Sequence, residues 1–313
     1  MPSERSPGRG LARVAFASLA FAAFAPVGLC VVPLGALLLA SRPRHRSEIM
    51  VAATAAALAL VWLAQPGEPP DQLARAVAVI GGATFVLATF YSRGTVTHRA
   101  LLAVTTAATA MVVLFPLAGW SWEQVRWWVE HRAGFAVRLA LGQVAAARAP
   151  AGASLPELER WFESGVRFLA DQYAAVLAVQ LLAGLGLAAA IYYRVCRVPV
   201  GRPPGPFREF RFSEHLGWVG AAALLVMVVP RLAAAKVAAI DLLLVSALLY
   251  AIRGAAVTAF GIALLGGTGW GTAALFGLLA LFILPAAAAG AIVLGVIDAG
   301  MDLRRRWATP PAR

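Results

Sequence analysis

The sequence predicts an all-α fold, a polytopic helical bundle embedded in a membrane. Three observations predict it. Of 313 residues, 61% are hydrophobic and only 13% are charged, against about 25% charged in soluble domains. Apolar runs approaching or exceeding the roughly 20 residues that cross a bilayer core recur along the whole chain. The basic residues, 26 of 27 of them arginine, collect between those runs.

Residues 11–40 are apolar apart from Arg13 and Ser18, and carry Pro26 and Pro33. Proline lacks an N–H and clashes with the preceding helical turn. The stretch is therefore either one long kinked span or a tight pair of short segments meeting near Pro26. The basic N-terminus ahead of it resembles a signal peptide. No Ala-x-Ala site followed by a soluble domain is found, so an uncleaved first span is expected. Residues 41–48 form a basic loop, 49–64 an alanine-rich span, and 65–72 a proline-rich, acidic turn. Spans at 73–91 and 100–117 flank the basic loop 92–99.

Residues 118–172 are the one substantial extramembrane excursion within a single domain covering 1–313. Six arginines balance five glutamates and one aspartate there, and Trp120, Trp122, Trp127, Trp128 and Trp161 punctuate it. Two amphipathic helices on the bilayer surface, with tryptophan at headgroup depth, are expected. The first covers 121–147. The second opens at the capping box 154–157 and runs toward the span 173–193. A lid over a ligand is the other reading of these aromatics. Residues 194–213 form the most basic loop, with Arg194, Arg197, Arg202, Arg208 and Arg211. A short span at 216–230, a long apolar stretch at 237–265, a glycine turn at 266–271 and a last span at 272–297 complete the chain. This makes eight to ten membrane segments, some short or re-entrant.

Placing the N-terminus, 41–48, 92–99, 194–213 and the tail in the cytoplasm puts most positive charge inside. That tally requires a hairpin within both 11–40 and 237–265. The stretch 237–265 spans the membrane with tilt or breaks near Arg253-Gly254, since as one helix it is about 43 Å long.

Candidate site residues lie in this same stretch. A charge in hydrocarbon costs at least about 2.5–3.5 kcal/mol, so Asp241 and Arg253 must face protein, water or a ligand. Ser246, Tyr250 and Arg253 share one helix face. Asp241 lies about 18 Å along the axis and roughly 120° around it from Arg253, so the two cannot pair with each other. Either these four residues bind a ligand, or Asp241 bonds a neighbouring helix and Arg253 snorkels to a headgroup. At the tail, Asp302 stands four residues before Arg306, an order that favours a surface ion pair. The triplet Arg304–Arg306 reads as a cytoplasmic anchor. Gly184 with Ala188 and Gly186 with Ala190 permit close helix packing.

Other chemistries find no support. The glycine turn 266–271 lacks the Lys-Ser/Thr of a phosphate loop. The four histidines fall apart from one another and make no metal-ligand pair. No nucleophile elbow or intramembrane aspartate pair is present, so neither an enzyme nor a cofactor is expected. A pI near 11.2 fits anionic lipid better than nucleic acid, because the arginines lie between apolar runs. Cys30 and Cys196 make no disulfide framework.

Three segments, PFREFRFSEHLGWV (206–219), IDLLLVSALLYAIRGAAV (240–257) and LGVIDAGMDLRRR (294–306), together resemble the YybS-like family of bacterial membrane proteins, a domain of unknown function. The resemblance covers mainly 155–306. Asp241 stands where that family usually has Asn, and Arg253 where it has Gln. The resemblance implies a wider similarity to the substrate-binding membrane subunits of energy-coupling-factor vitamin transporters. Two functions follow as expectations. One is a small-molecule binding or transport subunit of a bacterial inner membrane, energised by a separate partner because no nucleotide motif is present. The other is a non-transport scaffold for envelope or cytoplasmic proteins.

Overall fold

The computed structural model describes residues 7–92, 94–147, 155–213, 215–264 and 284–308. All regular elements among the described residues are helical. Backbone contacts divide the chain into two compact units, Met1–Pro204 and Gly205–Arg313.

In unit one, the stretch 11–40 resolves into α1 (Pro7–Phe24) and α2 (Gly28–Ala40), with Pro26 between them. The paired alternative is the one adopted. Helix α2 is the centre of the unit. Leu29, Leu37 and Leu38 are almost fully enclosed, packed among α3 (Arg46–Ala64), α4 (Pro69–Tyr91) and α8 (Tyr173–Val195). Gly184 lets α8 reach the α2 backbone: a Cβ there would lie 2.7 Å from the Leu29 carbonyl oxygen. Gly186 faces open space, so only the Gly184–Ala188 stripe is a packing face. Helix α5 (Val96–Leu117) and α3 present Leu58, Leu60, Val61, Val112 and Val113 outward, an apolar exterior that suits lipid rather than water.

The excursion forms α6 (Trp122–Ala147) and α7 (Leu155–Asp171). Ser121 and Gln124 start α6 with reciprocal capping bonds of 3.2 Å. Sequence reading placed no cap there. The two helices pack on each other through Val125, Val129, Val166 and Ala170, all buried. Arg126 pairs with Asp171 at 3.3 Å, and Arg132 reaches Asp71 at the start of α4 at 3.0 Å. Gln172, at φ −105° and ψ 25°, separates α7 from α8, so the second helix does not run unbroken into the span. Ser154, the first residue of the expected capping box, lies outside the described residues.

Unit two contains α9 (His215–Val228), α10 (Lys236–Leu264), α11 (Leu284–Met301) and the short α12 (Leu303–Ala308), with 3₁₀ turns at Phe207–Glu209 and Pro230–Ala235. Helix α10 is unbroken over 29 residues. The break near Arg253-Gly254, and with it the second hairpin of the charge tally, does not occur. The physical reason is that α11 covers the break point. Gly254 and Gly295 let the α10 and α11 backbones meet, and a Cβ at either would collide with the Ala291 or Tyr250 carbonyl oxygen. The helix is held continuous by packing. The glycine turn 266–271 and the start of the last expected span fall outside the described residues.

Among the described residues five helices, α3, α4, α5, α8 and α10, are long and apolar enough to cross a membrane. Four shorter apolar helices accompany them: Val14–Phe24, Gly28–Ala40, His215–Val228 and Ala286–Met301.

Candidate functional site

The tight α10–α11 crossing sets Arg253 beside Asp298. Arg253 Nε donates to Asp298 Oδ2 at 2.8 Å, and its Nη2 donates to the Asp298 backbone carbonyl at 3.0 Å. From the other side Arg304 Nη2 donates to the same Oδ2 at 2.7 Å, with Nε 3.4 Å from Oδ1. Arg304 Nη1 then bonds the carbonyls of Arg208 and Phe210, each at 3.0 Å. Asp298 is wholly buried, and Arg253 and Arg304 are 4% exposed. The Phe212 ring lies 5.4 Å from the Arg253 guanidinium carbon and packs edge-on against Tyr250 at 5.2 Å. A positive charge over a ring face gains further attraction.

One carboxylate between two guanidiniums leaves a net charge of about +1. Removing such ions from solvent costs several kcal/mol each, and only close, multiply bonded geometry offsets it. The bonds to three backbone carbonyls supply that geometry. Chemically the arrangement is a latch. It ties α10, α11 and the first turn of α12 to one carboxylate, and through Arg304 the segment before α9 as well.

Of the four candidate site residues Asp241, Ser246, Tyr250 and Arg253, Arg253 alone joins this cluster. Tyr250 borders it through Phe212, and its hydroxyl lies 3.1 Å from where a Gly217 side chain would begin. Ser246 is buried opposite Gly220 of α9. Asp241 is half-buried more than three turns away, roughly 18 Å along α10. Sequence reading did not assign Asp298, Arg304 or Phe212 to the site, and placed Arg304 in a cytoplasmic anchor instead. One signal for Asp298 was available: an intramembrane arginine needs a carboxylate, and Asp241 was already excluded by its spacing. The tail also differs from expectation. Arg304 turns inward instead of anchoring at headgroups. Asp302 accepts both Arg211 Nη2, at 2.8 Å, and Nη1, at 3.3 Å, in place of Arg306. The left-handed backbone at Asp302, φ 47°, turns the chain there. Arg306 remains exposed.

A second feature lies in unit one. A cleft of about 380 Å³ opens between α6 and α7, with Glu130, His131, Arg138, Glu159, Glu163 and Arg167 on its walls. Trp127 also lines it, stacked on His131 at 5.1 Å between ring centres and nearly parallel at 8°. His131 also borders a second, more open cleft toward Asp71 and Arg132. Among the described residues no histidine, cysteine or carboxylate cluster is arranged to hold a metal.

Lipid-ready helices, a buried ion latch and short apolar segments packed against long ones define a multi-pass helical membrane protein. The chain belongs to the family described as predicted membrane protein (DUF2232), whose model matches residues 12–299. No curated protein and no solved structure matches it significantly.

Proposed function

We propose that the protein is a membrane-embedded subunit that binds a small molecule. Its role would be similar to that of the substrate-binding components of energy-coupling-factor transporters, in a bacterial cytoplasmic membrane and beside a separate energising protein. The observation that carries this reading is the α6–α7 cleft. It combines a stacked Trp127–His131 pair with three glutamates and two arginines. Such a wall suits a planar, polar molecule bearing both signs of charge, because aromatic faces stack planar groups and fixed charges orient them. Ser246, Tyr250 and Arg253, with Asp241, are proposed as ligand contacts in unit two, Arg253 being held in orientation by Asp298.

The test is mass spectrometry of small molecules retained on the purified protein, repeated with Trp127→Ala and Glu163→Gln. A specific molecule retained by the natural chain and lost from both variants is the expected result. Retention of nothing, or equal retention by all three, overturns the cleft assignment. The scaffold reading has its own support in the latch, which engages Arg253 within the chain. Co-purification of a stable protein partner with no bound small molecule favours it. Co-purification of an ATPase pair favours binding and transport.

A further inference from the structure

Among the described residues of unit one, a buried cation has no acidic partner. Arg99, in the first turn of α5, is 1% exposed, and among the described residues no carboxylate forms an ion pair with it. Its Nη1 donates to the Tyr193 hydroxyl at 3.3 Å, and its Nε is buried with no hydrogen-bond partner. Gly201, at φ +81°, closes over the group. A Cβ there would lie 2.8 Å from Arg99 Nη1 and 3.0 Å from the Thr89 carbonyl oxygen.

The surroundings add positive potential. The N-terminus of α5 carries its own partial positive charge. Hydrogen bonds gather three loops at this end of unit one. Ser41 meets the Tyr192 hydroxyl at 2.6 Å, which in turn accepts from Val200 N at 2.8 Å, while Tyr193 donates to Val200 O at 3.0 Å. Arg42, Arg44, Arg46, Arg194, Arg197 and Arg202 belong to these loops. Their one described carboxylate, Glu48, is already committed. It accepts from the backbone nitrogens of Arg44, His45 and Arg197 at 3.1, 3.3 and 2.9 Å. Unit one's remaining described carboxylates belong to the 65–72 turn, the first turn of α4 and the excursion. Asp71 is about 30 Å along α4 from the end of the helix that leads into the Arg99 loop, by helix rise.

A buried guanidinium without an anion bears a large desolvation cost, and phosphate oxygens match its planar fork in pairs. We infer that this end of unit one binds a phosphate-class anion, with Arg99 as its charge partner. The anion is either the headgroup of an acidic lipid or free phosphate.

The experiment follows thermal unfolding of the full chain in neutral detergent. Three additions are compared: inorganic phosphate, phosphatidylglycerol in mixed micelles, and phosphatidylcholine in mixed micelles. Arg99→Gln, Tyr193→Phe and the exposed Arg202→Gln are run beside the natural chain. The expected result is a midpoint that rises with phosphate or phosphatidylglycerol but not with phosphatidylcholine. The rise persists in Arg202→Gln and Tyr193→Phe, and apparent affinity falls about tenfold or more in Arg99→Gln. Response to phosphatidylglycerol alone assigns the lipid, and response to phosphate assigns the free ion or the bare headgroup. No anion response in the natural chain, or an equal response in Arg99→Gln, overturns the inference. If Arg99→Gln does not fold, native mass spectrometry of the natural chain and Tyr193→Phe decides. Bound phosphate or acidic lipid on both supports the site, and its absence from both overturns it.

Discussion

At the scale of single residues, the two buried arginine environments differ in what balances them. Arg253 and Arg304 share the Asp298 carboxylate, whereas among the described residues the Arg99 side chain has a tyrosine hydroxyl and no carboxylate. This difference orders a substitution series in unit two. Asp298→Leu strands two buried guanidiniums and should cost about 3–5 kcal/mol. Arg253→Leu leaves Arg304 to hold the carboxylate but removes two bonds, so a smaller loss of about 1–3 kcal/mol is expected. Arg253→Lys should fall below that, since an ammonium keeps the charge but cannot bond the side-chain and backbone oxygens of Asp298 as a fork. Arg211→Gln breaks a pair that is 49% and 39% exposed and should cost no more than about 1 kcal/mol. Thermal unfolding in detergent measures the order. If Arg253→Leu proved more stable than the natural chain, the latch would not be a stabilising element.

At the scale of elements, the α10–α11 crossing rests on two glycines. Gly254→Ala or Gly295→Ala places a methyl group against a carbonyl oxygen of the facing helix. The backbones must then separate, at about 1–3 kcal/mol or more, and the Arg253–Asp298 bonds lengthen with them. Gly290→Ala, on the same helix α11 but in open space, should be neutral or gain up to about 1 kcal/mol from helix propensity. Comparing the three in one unfolding assay separates packing from propensity. Equal behaviour at Gly254, Gly295 and Gly290 would contradict the close crossing. The same contrast separates Gly184, pressed on α2, from Gly186, which faces open space. Both stripes look alike in the sequence, because small-residue spacing says which faces permit contact and not which face meets a neighbour.

At the scale of the whole chain, contacts group the loops by end within each unit. In unit one, 41–48, 92–99 and 194–201 come together through Ser41, Glu48, Arg99, Tyr192 and Tyr193, while Asp71 is held by Arg132 of the excursion. In unit two, Arg208, Phe210 and Arg211 meet Asp302 and Arg304. Reporters fused after Arg306 and inserted at Gly205, both in unit two, are therefore expected on one side of the membrane, and the positive-inside tendency makes that side cytoplasmic. A reporter near Gly152 is expected on the opposite side. Opposite signals from Arg306 and Gly205 would break the grouping in unit two, and a cytoplasmic signal near Gly152 would invert the orientation.

What the sequence determined by itself is the solvent and the elements. Apolar runs, scarce charge and arginine between the runs specify lipid-embedded helices, and Pro26 marks a kink or break in the first of them, because each of these follows from local composition and backbone chemistry. It also required a partner for Arg253, since the cost of an isolated charge depends only on its surroundings being apolar. The tertiary structure decided which partner. Asp298 is 45 positions away, and nothing in helical periodicity relates the faces of two helices until glycines bring their backbones together. The continuity of α10, the inward turn of Arg304 and the isolation of Arg99 are of the same kind. Each depends on what a neighbouring segment contributes across space, and that is a property of packing rather than of any local stretch of sequence.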